Sequence, residues 1–180
     1  MGGIMITIDG GTGTILHNGT NYKSGSPIQV VSTEKTDAIS STSTTFEDVA
    51  GMSATLTPSS SSNKILLIGN FQQASTAGSL IKMFRDIGGA GYSEIAVGDE
   101  SGNRTKSFAG SAPYLNIGGE TILSQNVIFL DTPNTTSAVT YKLQIKVTSG
   151  TAYINRPTST ANTDDQSRTR SSITLMEIAA

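Results

Sequence analysis

Short runs in which apolar and polar residues alternate recur along most of this chain. The clearest run occupies residues 141–147, in which every second residue is apolar: Tyr141, Leu143, Ile145 and Val147. Successive side chains of a strand point to opposite faces of a sheet, so this run predicts a strand with one buried face. No window sustains the apolar spacing of three and four residues that a helix needs. The pattern predicts an all-β fold.

The other runs predict about eight to ten strands, which favours an antiparallel β-sandwich of the jelly-roll type. Gly51 separates two of these runs, and the Ser149-Gly150-Thr151 turn predicts a hairpin between residues 141–147 and 152–155. A helix competes only at residues 80–84. We expect Ile65, Leu67, Leu143 and Ile145 in the core. The remaining runs lie at residues 28–31, 46–49, 54–57, 64–68, 80–85, 122–130 and 173–178.

Residues 1–27 differ from the rest and predict an extended, Gly-rich arm in front of a domain at residues 28–180. Ile4, Ile6 and Ile8 alternate as in a short strand, and several glycines follow them. An apolar face with a free backbone edge suits strand addition to a neighbouring protein. We therefore expect Ile4, Ile6 and Ile8 to dock the chain onto a partner.

The composition excludes several classes of function. The chain has 12 Lys and Arg against 14 Asp and Glu, without a basic stripe, which argues against nucleic-acid binding. No run approaches the ~20 apolar residues of a membrane span, and the N-terminus lacks the features of a cleaved signal peptide. There is no cysteine, so disulfides and thiolate metal sites are excluded.

No residue pattern predicts catalysis, a metal or a cofactor. The single histidine, His17, lacks partners for acid–base or metal chemistry. Residues 98–104 resemble only a fragment of a calcium loop and are better explained as a surface turn. Asp164 and Asp165 are adjacent, and adjacent strand residues point apart, so they are a poor pair for glycoside hydrolysis. We expect a protein that is not an enzyme.

Arginines near acidic residues are candidates for contacts between subunits. The arginine fork suits interface ion pairs because it is weakly hydrated and bidentate. A homotrimer would bury the surplus apolar surface of a chain with only 14% charged residues. The candidates for inter-subunit ion pairs are Arg85, Asp86, Asp99, Arg104 and Arg168.

Taken together, the segment from Ile28 to Ala180 resembles a domain of phage tail-fibre and other virion structural proteins. No single piece is specific, but the whole pattern covers about five sixths of the chain. The resemblance lies in residues 29–37 (QVVSTEKTD), 43–49 (STTFEDV), 57–66 (TPSSSSNKIL), 84–86 (FRD), 98–99 (GD), 129–133 (FLDTP), 141–145 (YKLQI) and 171–177 (SSITLME).

The resemblance implies a C-terminal β-sandwich head, often trimeric, in a virion assembled in the host cytoplasm. Long fibres carry a repetitive shaft, and only residues 1–27 precede the head here, so we expect a short tail fibre or fibre tip. The arm would then dock onto other tail or capsid proteins, and the head would face host surface polysaccharide. A capsid decoration protein is the first alternative and a carbohydrate-binding module the second, although aromatic residues are only 6% and tryptophan is absent.

Overall fold

The protein is built from β-strands. The structure, a computed structural model, describes residues 6–9, 14–17, 20–22, 24–111, 121–159, 161, 163–164 and 166–180, with only the backbone of Ser111 and of the strands before residue 23. Within these residues no helix is present. The strands are β1 (Ile6–Asp9), β2 (Thr14–His17), β3 (Thr20–Tyr22), β4 (Pro27–Lys35), β5 (Ile39–Ser41), β6 (Glu47–Leu56), β7 (Lys64–Ser75), β8 (Ser79–Ile87), β9 (Tyr92–Ile95), β10 (Ala109–Ser111), β11 (Leu123–Asp131), β12 (Val139–Val147), β13 (Ala152–Ile154) and β14 (Ser171–Ile178).

Part of the N-terminal arm forms a small sheet of its own. Strands β1, β2 and β3 pair antiparallel in that order, with β2 in the centre. The alternation at Ile6 and Ile8 therefore predicts β1, whereas β2 and β3 were not foreseen. His17 ends β2, and Ile4 lies outside the described residues.

The other strands form two antiparallel sheets. In the first sheet, β7 pairs with β11 along one edge and with β14 and then β13 along the other, and these two pair in turn with β4 and β5. In the second sheet, β8 pairs with β10 and β9 along one edge and with β12 along the other, and β12 pairs with β6. Each sheet is thus four strands wide.

The order of these strands is that of a jelly roll. If β4 with β5, β9 with β10, and β13 with β14 each count as one strand, the first sheet has the order 1-8-3-6 and the second 2-7-4-5. Two interlocked Greek keys produce this order, and they define the double-sheet jelly roll. The predicted all-β, jelly-roll-like sandwich is confirmed.

The core lies between the two sheets and consists of the inward-facing side chains of each strand. In β12 every second residue, from Val139 to Val147, is buried. In β7 the inward parity includes Ile65, Leu67 and Phe71, each fully buried. Ile65, Leu67, Leu143 and Ile145 are all at most 1% exposed, as the alternation predicted.

Gly69 shows how closely this core is packed. It occupies an inward position of β7 between Leu67 and Phe71. A Cβ atom built there would lie 2.6 Å from the Phe71 ring and 2.7 Å from Val127. The missing side chain therefore provides the space that the Phe71 ring fills.

The strand predicted at residues 80–85 is confirmed, since residues 80–84, where a helix competed, lie within β8. Two other local predictions were wrong. The two runs on either side of Gly51 form one strand, β6. Gly51 has a φ of +80° and lies in a bulge of β6, where the pairing with β12 shifts register between Lys142 and Gln144. Such a bulge bends a strand without ending it.

The hairpin predicted after residue 147 does not form, because β12 and β13 belong to different sheets. The turn carries the chain across the end of the sandwich, beside the connection from β7 to β8. There Thr148 N donates to Gly78 O, and Thr76 N donates to Thr151 O. Turn residues reveal that a strand ends, but the pairing of two long strands decides where the next strand lies.

A buried carboxylate fastens one end of the sandwich. Glu177 of β14 is 0% exposed and accepts hydrogen bonds from Ser59 N and Asn63 Nδ2, both at 2.6 Å. Gln29 Nε2 donates to its other oxygen at 2.6 Å. Burial alone would raise the pKa of Glu177, but the hydrogen bonds from Asn63, Gln29 and Ser59 outweigh it and hold the pKa below its ordinary value.

Candidate interaction surface

The outer face of the first sheet carries an apolar band that crosses four strands. Met176 of β14 lies opposite Val30 of β4 on one side and Leu66 of β7 on the other. Leu66 in turn lies opposite Leu130 of β11. In the adjacent row, Ile68 of β7 lies opposite Ile128 of β11. We call these six residues the apolar band: Val30, Leu66, Ile68, Ile128, Leu130 and Met176.

The apolar band is accessible in the isolated chain. Ile128 is 75% exposed, Val30 is 56% and Leu130 is 50%. Single apolar residues on a surface are ordinary, whereas a contiguous patch in cross-strand register is a candidate contact surface. The two residues that complete the second row, Ser32 and Thr174, are uncharged and hydrogen-bonded to each other.

Beyond the apolar band the same face becomes polar. Asn70 Nδ2 of β7 donates to Asn126 Oδ1 of β11, and Gln72 Nε2 donates to Asn70 Oδ1 at 2.7 Å. Arg170, just before β14, pairs with Glu34 of β4 at 3.1 Å, and both side chains are largely exposed. This end of the face is suited to water, so the apolar band is a local feature.

The outer face of the second sheet is covered by charges instead. Lys142 of β12 lies 3.7 Å from the centre of the Tyr92 ring and 2.7 Å from Asp48 of β6. Lys82 pairs with Glu94 and stacks over the Phe46 ring. Partial burial of Asp48 opposes its ionisation, yet the hydrogen bonds from Lys142 and Gln144 outweigh this and lower its pKa.

Arg85 and Asp86 are both engaged within the chain, on opposite sides of β8. Arg85 reaches between the sheets to Asp131 of β11, where the Nη1 to Oδ1 distance is 2.7 Å. Asp131 also accepts from the Tyr141 hydroxyl at 2.6 Å, and burial together with this carboxylate raises the pKa of Tyr141. Asp86 accepts from the backbone N–H groups of Gly89 and Gly91. Adjacent strand residues point apart, which is why the two neighbours do not pair with each other.

The other predicted site residues lie in loops. Asp99 and Arg104 are exposed in the segment between β9 and β10, where Ser101 and Arg104 form a tight turn around Gly102. Arg168 is exposed in the connection from β13 to β14, and no ion pair joins it to another described residue. Contacts of these residues with another subunit remain a prediction, as does docking by Ile4, Ile6 and Ile8.

No group of three metal-ligating side chains occurs in the part of the chain that the structure describes. The same residues contain no helix that is long and apolar enough to span a bilayer.

The apolar band was missed because each run was interpreted as a strand with one buried face. The sequence did contain a signal. Residues 127–130 are Val-Ile-Phe-Leu and residues 65–68 are Ile-Leu-Leu-Ile, so each of these strands is apolar on both of its faces. Strands that are apolar on both faces are typical of sheets covered on both sides. Which four runs combine their outward residues could not be seen before the sheet order was known.

Comparisons with known proteins returned only distant structural likenesses. No protein-family model matches the chain, and no curated protein matches it. The chain is similar to a structure of the Gx strain of infectious bursal disease virus, with a TM-score of 0.37 and 11% identity over 89% of this chain and 44% of that one. It is similar to the VP2 subviral particle of the same virus, with a TM-score of 0.39 and 11% identity over 89% of this chain and 40% of that one. The chain therefore spans less than half the length of these structures.

The order of the strands, independently of these likenesses, places the chain among jelly-roll proteins. Jelly rolls serve as capsid proteins, lectins and enzymes alike, so the function has to be argued from the surface of this chain.

Proposed function

We propose that this chain is a structural protein of a virus particle, whose jelly-roll domain self-associates through the apolar band. The apolar band is the observation that carries the proposal. The resemblance of residues 28–180 to phage fibre heads supports the virion assignment, and a short tail fibre or fibre tip is the position we propose. A head with an apolar surface on one sheet and a charged surface on the other is suited to a closed oligomer.

A second copy of the chain is the occupant that this surface fits. The two rows that form the surface contain no charged residue, so two copies meet there without like-charge repulsion. Strands β7 and β11 have 12 and 9 residues. At about 4.8 Å between strands and about 3.3 Å per residue, the whole outer face has an area of the order of the roughly 800 Å² that one partner contributes to a standard interface, and the two rows of the apolar band make up about 250 Å² of it.

A trimer is the closed arrangement we propose. Three copies of the first sheet around a three-fold axis would shield Ile128 and Leu130 from water and leave the charged face outside. Closed symmetry also prevents an apolar surface from building open-ended aggregates.

Sedimentation of the full chain with Ile128→Asp tests this. We expect the unaltered chain to be a trimer at micromolar concentration and the variant to be a folded monomer, because a carboxylate in a dry interface has no partner. Thr55→Asp is the matched control, since Thr55 is an exposed outward residue of β6 in the other sheet. It should remain a trimer. Val30→Lys provides a second test on a different strand of the apolar band.

A stable monomer of the unaltered chain would refute the trimer. A trimer that survives both Ile128→Asp and Val30→Lys would refute the apolar band as its interface.

We also propose that residues 1–27 dock the head onto another protein of the particle. Strand β1 lies at the edge of the small sheet, which offers a backbone edge for strand addition. A chain that begins at Ile28 should fold and trimerise but fail to join the particle. Images of whole particles that show the truncated protein at full occupancy would refute the docking role, and the position of the density would distinguish tail from capsid.

We propose finally that the chain has no hydrolase activity, because it has a single histidine and no cysteine, and the adjacent Asp164 and Asp165 are a poor acid pair. Release of reducing ends from host surface polysaccharide by the purified protein would overturn this.

A further inference from the structure

Among the described residues the two large sheets have four edges, and three of these are protected against pairing with another chain. In the first sheet, β4 contains Pro27, Glu34 and Lys35, and its neighbour β5 has three residues. In the second sheet, β6 contains Glu47 and Asp48 and is bent by its bulge, whereas β9 and β10 have four and three residues. Charge, proline, bulges and short length are the features that keep an edge strand from adding a foreign strand.

The fourth edge, β11, has none of these features. Its nine residues pair one for one with β7, without a bulge. It contains no proline and no basic residue, and its single acid, Asp131, is buried and turned inward to Arg85. A long, straight edge without exposed charge is open to strand addition, so we expect a second strand to cover it in the assembled protein.

The backbone groups at this edge follow from the pairing on the other side of β7. Gln72 N donates to Ser171 Oγ, and Gln72 O accepts from Asn155 N, so the backbone of Gln72 faces β13 and β14. Hydrogen-bonded and non-hydrogen-bonded positions alternate in an antiparallel ladder, so the next residue, Phe71, bonds its partner Gln125 in β11. The odd-numbered residues of β11 therefore bond β7. The even-numbered residues direct their N–H and C=O groups away from it.

Four residues thus present both backbone and side chain at the edge: Ser124, Asn126, Ile128 and Leu130. All four side chains are exposed and uncharged. No backbone group of another described residue bonds their N–H or C=O groups outside the ladder with β7. At about 3.3 Å per residue they form a row of donors and acceptors about 20 Å long. An extended strand is the partner that matches such a row.

We propose that β11 pairs with β11 of a second copy, antiparallel about a two-fold axis. At full overlap the axis passes beside Val127, the middle residue of the strand. Ser124 then lies opposite Leu130 of the second copy, and Asn126 lies opposite its Ile128. Every free residue of one copy faces a free residue of the other, so about eight backbone hydrogen bonds form. No exposed charge opposes the contact.

A second copy fits this edge better than an unrelated strand because the contact is self-complementary. A two-fold contact uses the same surface on both copies and leaves neither edge open for further strands. The two first sheets join into one sheet eight strands wide. Because a two-fold axis between antiparallel strands is perpendicular to the sheet, both apolar bands lie on the same face, and the edge contact is continuous with the surface proposed for self-association.

This contact goes beyond the trimer proposed above. The edge lies in the plane of the sheet, whereas the apolar band lies on its outer face, so one copy can make both contacts. Trimers would then associate further through β11. Backbone hydrogen bonds exchange with water and the edge buries little apolar surface, so this association is weaker than the trimer and needs a higher protein concentration.

Sedimentation of the full chain and of Asn126→Pro, from micromolar to nearly millimolar concentration, tests the edge. The substitution removes a free N–H group, a position where edge strands tolerate proline, and Asn126 lies outside the apolar band. We expect the unaltered trimer to associate further as the concentration rises, and the variant to do so at least about tenfold more weakly. Asn126→Ala is the matched control, since it loses the same side chain but keeps the N–H group. It should associate as the unaltered chain does.

Asn126→Lys is a second variant, which keeps every backbone group and should fold normally. It brings two like charges close to the two-fold axis, so it should also weaken the further association, and high salt should restore part of it. Hydrogen exchange reports the edge directly. Exchange in residues 124–130 should slow as the concentration of the unaltered chain rises, but not in Asn126→Pro.

Further association that survives both Asn126→Pro and Asn126→Lys would refute β11 as the contact. Its loss in Asn126→Ala would assign the contact to the side chain and refute backbone pairing. An unaltered chain that never grows beyond its micromolar state would refute the inference altogether. The micromolar state itself and its response to Val30→Lys test the apolar band, so failure of this inference and failure of the proposed trimer are distinguishable.

Discussion

The two outer faces of the sandwich differ although both are made by outward residues of antiparallel strands. On the second sheet, Lys142 lies between the Tyr92 ring and Asp48, so its charge is compensated and its stem covers apolar surface. On the first sheet, Ile128 and Leu130 face water without any such cover. Strand geometry is the same in both. The second sheet is thus covered by its own side chains, whereas we propose that the first is covered by another molecule.

The largest effect is expected in β12, whose inward residues should contribute far more to the stability of the fold than its outward ones. Leu143→Ala should cost about 2–5 kcal/mol of unfolding free energy, because Leu143 is fully buried and its removal leaves a cavity. Chemical denaturation measures the change. An unaltered midpoint would mean that the two faces of β12 are reversed.

The end of the sandwich near the apolar band should depend on Glu177. Glu177→Gln should cost about 1.5–3 kcal/mol, since an amide presents a donor to Ser59 N, Asn63 and Gln29, which are donors themselves. Denaturation at neutral pH measures this loss. A variant as stable as the unaltered chain would show that the carboxylate is not held in this way.

The same residue predicts a dependence on pH. The pKa of Glu177 in the folded chain lies below its ordinary value of 4.5, so the ionised form favours folding. Its contribution is complete above pH 4.5 and is lost as the pH falls through the lower pKa of the folded state. Glu177→Gln should remove this part of the acid sensitivity. Identical acid profiles for the two proteins would contradict the assignment.

The charged face of the second sheet should tolerate substitution. Lys142→Ala should cost about 1–2 kcal/mol, because the ion pair with the 57% exposed Asp48 contributes little and the contact with the Tyr92 ring adds about 0.5–1 kcal/mol. The loss should diminish in high salt, which screens the pair. Thermal unfolding at low and high salt measures both. A loss as large as that of Leu143→Ala would mean that this face is buried in the assembly too.

The smallest effect on the stability of the single chain should come from the apolar band. Ile128→Ser should change it by less than about 0.5 kcal/mol, since the side chain is 75% exposed. The unaltered chain should melt at a temperature that rises with protein concentration, because association stabilises the folded state. In the variant this dependence should vanish. A concentration dependence retained by the variant would place the interface elsewhere.

Much of the fold could be predicted from the sequence. Period-two alternation is a local property, so the strand at residues 141–147 and its buried parity were correctly predicted from neighbours along the chain. The same reasoning predicted that Ile65 and Leu67 are core. It was less successful at Gly51, because a glycine with positive φ looks the same whether it ends a strand or bends it.

The candidate interaction surfaces could be predicted from the sequence only in part. Residues 65–68 are apolar on both faces of the strand, a pattern typical of strands in sheets that are covered on both sides. The six residues of the apolar band come from four strands that are far apart in the chain. Arg168 was singled out for its charge, whereas its neighbours Asn70 and Gln72 belong to β7, far away in sequence.

The sequence by itself determined that the chain is all-β, where most strands run and which side chains they bury, because these follow from spacing over a few residues. Only the tertiary structure decided which strands pair. The connection after Val147 crosses between the sheets instead of forming a hairpin, and Arg85 pairs with Asp131. Strand pairing also aligns four outward residues in one row: Val30, Met176, Leu66 and Leu130. Backbone hydrogen bonds join any two strands equally well, so the partner of each strand is chosen by the packing of the whole core.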